Sequence, residues 1–185
     1  QVGAMKRLVN EFRDYARLPA AELHPLDLNA LVTDVLQLYG SENATVPVAV
    51  ELDPRCPPVA GDAQQLRQVV HNLLQNAQDA TEEAARKGQV PAEPVHISTH
   101  WSESSRRVRL TVSDRGSGFA PNILQRALEP YVTTKSGGTG LGLAVVKKIA
   151  DEHGARVDLV NRMENGMVRG AQVSLSFAPE RAVAL

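Results

Sequence analysis

One long amphipathic segment constrains the fold more than any other part of this chain. From Asp62 to about Gly88, apolar side chains recur at the three- and four-residue spacing of an α-helix. Asp62 is suited to cap the start of this helix, and the helix is expected to fade near Gly88. A helix with one apolar face must bury that face against another layer of structure. The face consists of Leu66, Val69, Val70, Leu73, Leu74, Ala77 and Ala80.

The segments around this helix supply the second layer. Helices and strands alternate along the chain, but the last two strands follow one another closely, which favours a mixed sheet. The sequence therefore predicts an α/β fold, a two-layer sandwich with a mixed β-sheet and helices on one face. The expected strands are Val46–Leu52, Val95–Trp101, Val108–Ser113, Ala155–Asn161 and Gln172–Phe177, and a second helix is expected at Leu141–His153, ended by Gly154.

The amino-terminal part predicts two further helices. Residues 5–16 carry one apolar stripe at helical spacing, and this helix should stop near Leu18, before a linker with Pro19 and Pro25. The stripe fits packing on its own domain and equally fits half of a coiled-coil or bundle dimer. After the linker, Asn29 is expected to cap a helix that runs to Tyr39.

Composition excludes several functions. The 185 residues carry a net charge of −1 and only 4% aromatic residues, which argues against nucleic-acid binding. Cys56 is the single cysteine, so an internal disulfide and a cysteine zinc site are excluded. No apolar run reaches the ~18 residues of a membrane span, and no signal peptide is expected. Because the chain opens with Gln1 and not with Met, we expect it to be a fragment of a longer protein.

Three segments contain more polar residues and glycines than a core needs, and the first lies inside the long helix. In HNLLQNAQDA, residues 71–80, Asn72, Asn76 and Asp79 fall at i, i+4 and i+7 and share one face. This face fits ordinary exposure to solvent. It also fits amide oxygens that coordinate a hard cation such as Mg²⁺ together with phosphate oxygens.

The second segment, SDRGSGF at 113–119, directly follows a predicted strand. Asp and Gly populate turns for conformational reasons, so this pattern alone fits a simple turn. Functionally, a carboxylate at the strand end can accept a hydrogen bond from the exocyclic amine of adenine. The glycines would then let the backbone approach the base.

The third segment, KSGGTGLGLAVVKK at 135–148, is a glycine-rich loop that runs into a helix. It fits a flexible loop before an ordinary helix, and it also fits an anion site made of free N–H groups. Leu143 stands where the third glycine of G-x-G-x-x-G would be, and no G-x-x-x-x-G-K-[ST] is present, so Rossmann and P-loop binding are both excluded. Lys135 can lend a point charge to a terminal phosphate.

Together the three segments resemble the nucleotide-binding domain of sensor histidine kinases and the wider GHKL ATPase family, with its Bergerat-type ATP-binding fold. Asn72-Leu-Leu-Gln-Asn76-Ala77 resembles the N box, Asp114-Arg-Gly116-Ser-Gly118 the first glycine box, and Gly138-Thr-Gly140-Leu-Gly142-Leu the second. Glu129-Pro-Tyr-Val-Thr-Thr-Lys135 resembles the F box of the nitrogen-regulation kinases of the NtrB/NtrY type. The resemblance covers about residues 26–178, and residues 1–18 are similar to the second helix of the preceding dimerisation and phosphotransfer hairpin.

The resemblance implies a role for each site residue. Asn76 would coordinate the Mg²⁺ that bridges the ATP phosphates, with Asn72 on the same face, and Asp114, with Gly116 and Gly118, would recognise adenine. Residues 120–139 would form a lid. Lys135 would be the catalytic cation, and the remaining ATP contacts would come from Asp79, Thr134, Gly138, Thr139, Gly140, Leu141 and Gly142.

Two departures from the family pattern bear on the activity. The ATP-hydrolysing relatives carry a catalytic Glu where this chain has Asn72, and an amide cannot act as that base, which favours a phosphotransfer kinase. Asp79 stands where many sensor kinases place a basic phosphate contact, so neutralisation of phosphate charge must fall on Mg²⁺, Lys135 and helix amides.

In the family that the chain resembles, the phosphoacceptor is a His followed by an acidic residue on the first hairpin helix. None of the five histidines here is followed by an acidic residue, so the resemblance implies an acceptor upstream of Gln1. The resemblance thus predicts a catalytic fragment that transfers the γ-phosphoryl of Mg-ATP to a His on a missing hairpin helix, and then on to a response regulator receiver domain. A homodimer in the intact protein and a cytoplasmic location are expected, with membrane anchoring of the parent left open. The alternatives are a GHKL ATPase or serine kinase, and a non-catalytic module. The predicted units are 1–18 (hairpin helix), 19–27 (linker), 28–179 (ATP-binding domain) and 180–185 (tail).

Overall fold

The computed structural model describes residues 2–39, 46–88, 93–130 and 141–179. Its helices are α1 (Val2–Ala16), α2 (Leu28–Tyr39), α3 (Ala63–Arg86), α4 (Pro121–Leu124) and α5 (Gly142–Glu152). Its strands are β1 (His24–Leu26), β2 (Val48–Glu51), β3 (Val59–Gly61), β4 (Val95–Ser102), β5 (Arg107–Ser113), β6 (Arg156–Glu164) and β7 (Met167–Phe177).

A five-stranded mixed sheet forms one layer of the domain. Its strand order is β2-β4-β5-β7-β6, in which β2 and β4 are parallel and the other neighbours are antiparallel. Along β4 and β5 every second side chain is buried, so one face of the sheet meets the core and the other meets water. Helices α3 and α5 contact each other and the sheet on the buried face. The predicted two-layer sandwich is confirmed.

The two long helices of the other layer, α3 and α5, follow the sequence prediction closely. The Asp62 carboxylate accepts a hydrogen bond from the Gln65 N–H at 3.2 Å and so caps α3. Gly88, just beyond the end of α3, and Gly154, just beyond α5, both have positive φ, the conformation that favours glycine after a helix.

The segment from Tyr15 to Leu26, which we call the strap, joins α1 to the sandwich. Strand β1 lies in this segment, inside the predicted linker, and pairs antiparallel with β3. Four side chains of the sandwich also bind its backbone. Lys148 Nζ donates to the Tyr15 carbonyl at 2.7 Å and Gln65 Nε2 donates to the Pro19 carbonyl at 2.8 Å. An Asp62 oxygen accepts from the Glu22 N–H at 3.1 Å, and a Glu152 oxygen accepts from the Ala21 N–H at 3.4 Å.

The prediction that Asn29 caps α2 is wrong. Asp27 is the cap, since its carboxylate accepts from the Ala30 N–H at 3.1 Å. Asn29 lies within the first turn and instead donates to the Asp53 carbonyl at 2.8 Å and accepts from the Thr99 hydroxyl at 2.6 Å. Its polar side chain therefore ties α2 to the edge of the sheet.

Asp53 also contributes to the connection between α2 and the sheet. Its carboxylate binds the Arg55 guanidinium, at 3.1 Å from Nε, and accepts from the Trp101 N–H at 2.9 Å. The hydrogen bond from Arg55, followed by that from the Trp101 backbone, holds the pKa of Asp53 well below its usual range.

Several elements differ from the sequence prediction in extent. Strands β1 and β3 have three residues each and were not predicted, and β2 is shorter than Val46–Leu52. Strands β6 and β7 are longer than predicted, because their hairpin continues to a turn at Asn165 and Gly166. Among the described residues, no helix has the length and apolar character needed to cross a membrane.

Candidate nucleotide-binding site

Asp114, at the end of β5, is a buried carboxylate with only 5% of its surface exposed. Its Oδ1 atom accepts hydrogen bonds from the Gly116 N–H at 2.8 Å and from the Ala171 N–H at 3.2 Å. Its own N–H donates to the Ala171 carbonyl at 3.0 Å. A buried carboxylate is costly unless polar groups surround it, and these backbone bonds supply part of that environment. The side chain is therefore held in one direction beside β7.

Gly116 lets the loop after β5 lie directly on helix α3. A Cβ atom at this position would come within 2.7 Å of the Ala80 carbonyl oxygen. Gly118, two residues on, has a φ of +74°, and a Cβ there would lie 2.8 Å from the Asn161 side-chain oxygen. Both predicted glycines are therefore required by close packing of this loop against α3 and β6.

The polar face of α3 leads from this loop to the start of α5. Asn72, Asn76 and Asp79 are each half-buried, as are Gln75 and Ala80 between and beyond them. Asn72 Nδ2 donates to the Gly142 carbonyl at 3.2 Å. From Asn72 to Ala80 the helix rises roughly 12 Å. We call this polar face of α3 the strip; Gly142 lies at its Asn72 end and Gly116 at its Ala80 end.

Asp79 is engaged on its own helix. Its Oδ1 accepts a hydrogen bond from Gln75 Nε2 at 2.9 Å, one turn earlier. Within the described ranges, no three His, Cys, Asp or Glu side chains come together as a metal-binding cluster.

The first turn of α5 forms the far end of the strip. Leu141 is fully buried, and its carbonyl accepts from the Val145 N–H at 2.9 Å. Gly142 is exposed, and a Cβ at this position would meet no atom within 4 Å. No contact in the described structure requires glycine here, unlike at Gly116.

The other predicted phosphate contacts lie outside the described residues. Thr134, Lys135, Gly138, Thr139 and Gly140 fall in 131–140, as does most of the glycine loop and the second half of the predicted lid. Of the lid, residues 120–130 are described. They contain α4 and the buried Ala127.

Sequence reasoning missed the residues that hold the Asp114 loop from the hairpin side. Arg162 Nη1 donates to the Asp114 carbonyl at 3.1 Å, and Asn161 makes two hydrogen bonds to the backbone of Phe119. Gly170 was only a partial signal: a glycine inside a strand often marks close approach of another backbone, but the strand predicted from the sequence begins at Gln172. Asn161 and Arg162 carried no such signal.

An α/β sandwich of this topology, with a buried Asp at a strand end and a polar strip along the adjacent helix, defines a class of nucleotide-binding domain. Residues 61–181 match the family described as histidine kinase-, DNA gyrase B-, and HSP90-like ATPase. The chain therefore belongs to this ATPase family, which confirms the resemblance inferred from the three motifs.

Individual relatives agree with this assignment. The chain is 33% identical over 184 residues to nitrogen regulation protein NtrY of Azorhizobium caulinodans, which covers 97% of this chain and 22% of that protein. The structure of full-length ShkA in complex with AMPPNP has a TM-score of 0.74 and 29% identity, covering 95% of this chain and 36% of that chain. The catalytic domain of histidine kinase ThkA, free of nucleotide, has a TM-score of 0.68 and 28% identity, over 85% and 95% of the two chains. The chain spans about a quarter of the length of the curated relatives it matches.

Proposed function

We propose that this chain is the ATP-binding catalytic domain of a two-component sensor histidine kinase. The observation that carries the proposal is the strip on α3 between Gly116 and Gly142, which lies beside the buried carboxylate of Asp114. One end of the strip suits a base with an amine donor, and the other suits an anion. Similarity to NtrY and to the ShkA and ThkA structures supports the same function.

At the adenine end, Asp114 accepts a hydrogen bond from the exocyclic amine of the base. Two backbone N–H groups already fix the direction of this carboxylate, so it needs little reorganisation when the base arrives. A hydrogen bond with a charged acceptor is worth about 1.5–3 kcal/mol. Gly116 and Gly118 let the loop pack closely on α3 and β6, which leaves space for the base beside the loop backbone.

At the phosphate end, the first amides of α5 face the nucleotide. Gly142 supports this role because a Cβ at this position would meet no described atom within 4 Å, which leaves room for an anion beside the start of α5. Thr134, Lys135, Gly138, Thr139, Gly140 and Leu141 are assigned to the same end from their motifs, with Lys135 as the catalytic cation.

The α3 strip fits a magnesium ion shared with the phosphates. Mg²⁺ prefers oxygen ligands and keeps several waters or phosphate oxygens, so one or two protein oxygens suffice. Asn76 would supply an amide oxygen from the strip, and Asn72 lies one turn away beside Gly142. When bound, the ion neutralises phosphate charge. Asp79, paired with Gln75, borders the same face.

The expected reaction is phosphoryl transfer and not hydrolysis. Asn72, which donates to the Gly142 carbonyl, has a carboxamide in place of a carboxylate, and a carboxamide is not basic enough to deprotonate water. Transfer of a γ-phosphoryl group needs positioning and charge stabilisation more than covalent help. The γ-phosphoryl group is accepted by a His on a hairpin helix upstream of this chain. A response regulator receiver domain then takes the phosphoryl group from that His.

Helix α1 fits the place of the second hairpin helix in a homodimer. Its side chains Met5, Val9 and Phe12 are 68%, 51% and 50% exposed, an apolar stripe that a partner helix would cover. Because the proposed reaction uses ATP and a response regulator, we expect the domain to work in the cytoplasm, whether or not the parent protein has a membrane anchor.

Reconstitution tests the proposal. The chain is extended upstream to include the complete hairpin, and is incubated with γ-labelled Mg-ATP. We expect an acid-labile, base-stable phosphohistidine that passes to a receiver domain, and no label on the 185-residue chain alone. An Asn76→Ala variant of the longer protein should lose most of the label. Steady ATP hydrolysis without phosphohistidine would favour the ATPase alternative.

A further inference from the structure

The β6–β7 hairpin contains an irregularity next to the Asp114 loop. Asn161 pairs with Ala171 and Met163 pairs with Val168, so two residues of β7, Arg169 and Gly170, lie opposite a single residue of β6. That residue is Arg162. A bulge of this kind bends a strand and changes the direction of the neighbouring side chains.

Gly170 brings the bulge against the Asp114 backbone. Its φ is +138°, and a Cβ at this position would overlap the Asp114 carbonyl oxygen. Only glycine therefore permits β7 to come this close, and the next residue, Ala171, exchanges hydrogen bonds with Asp114 through both its N–H and its carbonyl.

Arg162, opposite the bulge, binds the same carbonyl group of Asp114. Its guanidinium donates to the Asp114 carbonyl at 3.1 Å, and Arg162 is half-buried. A charged donor makes a stronger hydrogen bond than a neutral one. Because the carbonyl belongs to Asp114 itself, fixing it also limits rotation of the backbone that carries the carboxylate.

Asn161 fixes the far end of the loop. Its Oδ1 accepts from the Phe119 N–H at 2.8 Å, and its Nδ2 donates to the Phe119 carbonyl at 2.7 Å. Both polar groups of one backbone residue are thus bound by one side chain. The hairpin consequently holds the loop at Asp114 and at Phe119, five residues apart.

We propose that Arg162, Asn161 and the Gly170 bulge are positioning residues that set the direction of Asp114 and so determine selectivity for the 6-amino group of the purine. This inference rests on the proposed function. A carboxylate at a fixed position accepts from the amine of adenine and repels the 6-carbonyl of hypoxanthine. A carboxylate free to turn away loses both effects, so selectivity falls more than overall binding.

Calorimetric titration with Mg-ADP and Mg-IDP tests the inference. We expect the wild-type chain to prefer ADP, and Arg162→Ala to reduce the ratio of ADP to IDP affinity roughly fivefold to tenfold. Arg162→Lys should restore part of the ratio, because its ammonium can still donate to the carbonyl. Arg156→Ala, at the exposed start of β6 and outside the bulge, is the matched control and should leave the ratio unchanged.

A second variant covers the case in which Arg162→Ala does not fold. Asn161→Asp keeps the acceptor for the Phe119 N–H but loses the donor to its carbonyl, with little change of volume. It should also lower the ratio. If either folded variant weakens ADP and IDP by the same factor, or leaves the ratio intact, the inference is wrong while the proposed function stands. If wild type binds neither nucleotide, the proposed function fails as well.

Discussion

The loop 114–119 and the strap are both irregular segments fixed to the sandwich, but they are fixed by different means. The loop is fixed by close approach in addition to hydrogen bonds: Gly116 lies against α3 and Gly170 against the Asp114 carbonyl, while Arg162 and Asn161 bind the loop backbone. The strap is fixed by a short strand pairing and by side chains that bind its backbone, among them Gln65 and Lys148. Steric contact leaves a glycine signature in the sequence, whereas hydrogen bonds to a backbone leave almost none.

This difference predicts how each region responds to substitution. A new Cβ in the loop must displace backbone atoms, which are hard to move. When a sandwich side chain that binds the strap is removed, one hydrogen bond to the strap backbone is lost. Such a bond is worth about 0.5–1.5 kcal/mol net, and water can replace it. We therefore expect the loop to be rigid and intolerant of substitution. We expect the strap to tolerate substitution and to unfold locally while the sandwich stays folded.

The largest effect is expected from Gly116→Ala. Its Cβ would lie 2.7 Å from the Ala80 carbonyl oxygen, so the loop or the end of α3 must shift, at a cost of about 1–3 kcal/mol in the free energy of unfolding. Urea unfolding measures it. Gly142→Ala is the control, since a Cβ there meets nothing within 4 Å and stability should change little. Equal losses in both variants would contradict the steric account of the loop.

A smaller effect is expected from Asp62→Ala, which removes both the cap of α3 and the bond to the strap at Glu22. The loss should be about 1 kcal/mol near neutral pH. Limited proteolysis of the strap should also become faster, while the sandwich stays resistant. If cleavage within the strap were unchanged, the Asp62 contact would not hold it.

The stabilisation that Asp62→Ala removes depends on pH. Burial raises the pKa of the Asp62 carboxyl, but hydrogen bonds from the backbone N–H groups of Glu22, Gln65 and Gln64, with the electrostatic interaction with His153, together hold its net pKa below the usual value. The folded state then binds fewer protons than the unfolded state, so the stabilisation is complete above about pH 4 and is lost as the pH falls below it. Asp62→Asn, a cap without charge, should show no such loss when compared with Asp62→Ala across pH 3–7.

The smallest effect on this chain is expected from Phe12→Ser. Phe12 is half exposed on α1, beyond the strap, so the free energy of unfolding should change by less than about 0.5 kcal/mol. In the longer protein with the full hairpin, sedimentation should instead show a weakened dimer. A dimer as strong as wild type would assign the apolar stripe of α1 to another contact.

Prediction from sequence succeeded where the signal was local and failed where it was not. Asp62 and Gly154 predicted the ends of α3 and α5 because capping depends on neighbouring residues. Strands β1 and β3 are too short for any alternation to be visible. Asn29 was assigned as a cap because Asn commonly caps helices, and its contacts with Asp53 and Thr99 join residues distant in sequence.

The site shows the same division. Asp114, Gly116 and Gly118 follow from a motif whose glycines the packing requires. The bulge opposite Arg162 could not be predicted, because it depends on the register of a hairpin longer than the sequence pattern indicated.

The most direct measurement is calorimetric titration of this chain with Mg-ATP and Mg-ADP, beside an Asp114→Asn variant. The account predicts that the wild type binds both nucleotides, and that the variant binds them roughly tenfold to a hundredfold more weakly, because a charged hydrogen bond to the adenine amine is lost. Equal affinity in the two proteins would show that Asp114 does not contact the base. Binding by neither would contradict the assignment of this domain as an ATP site.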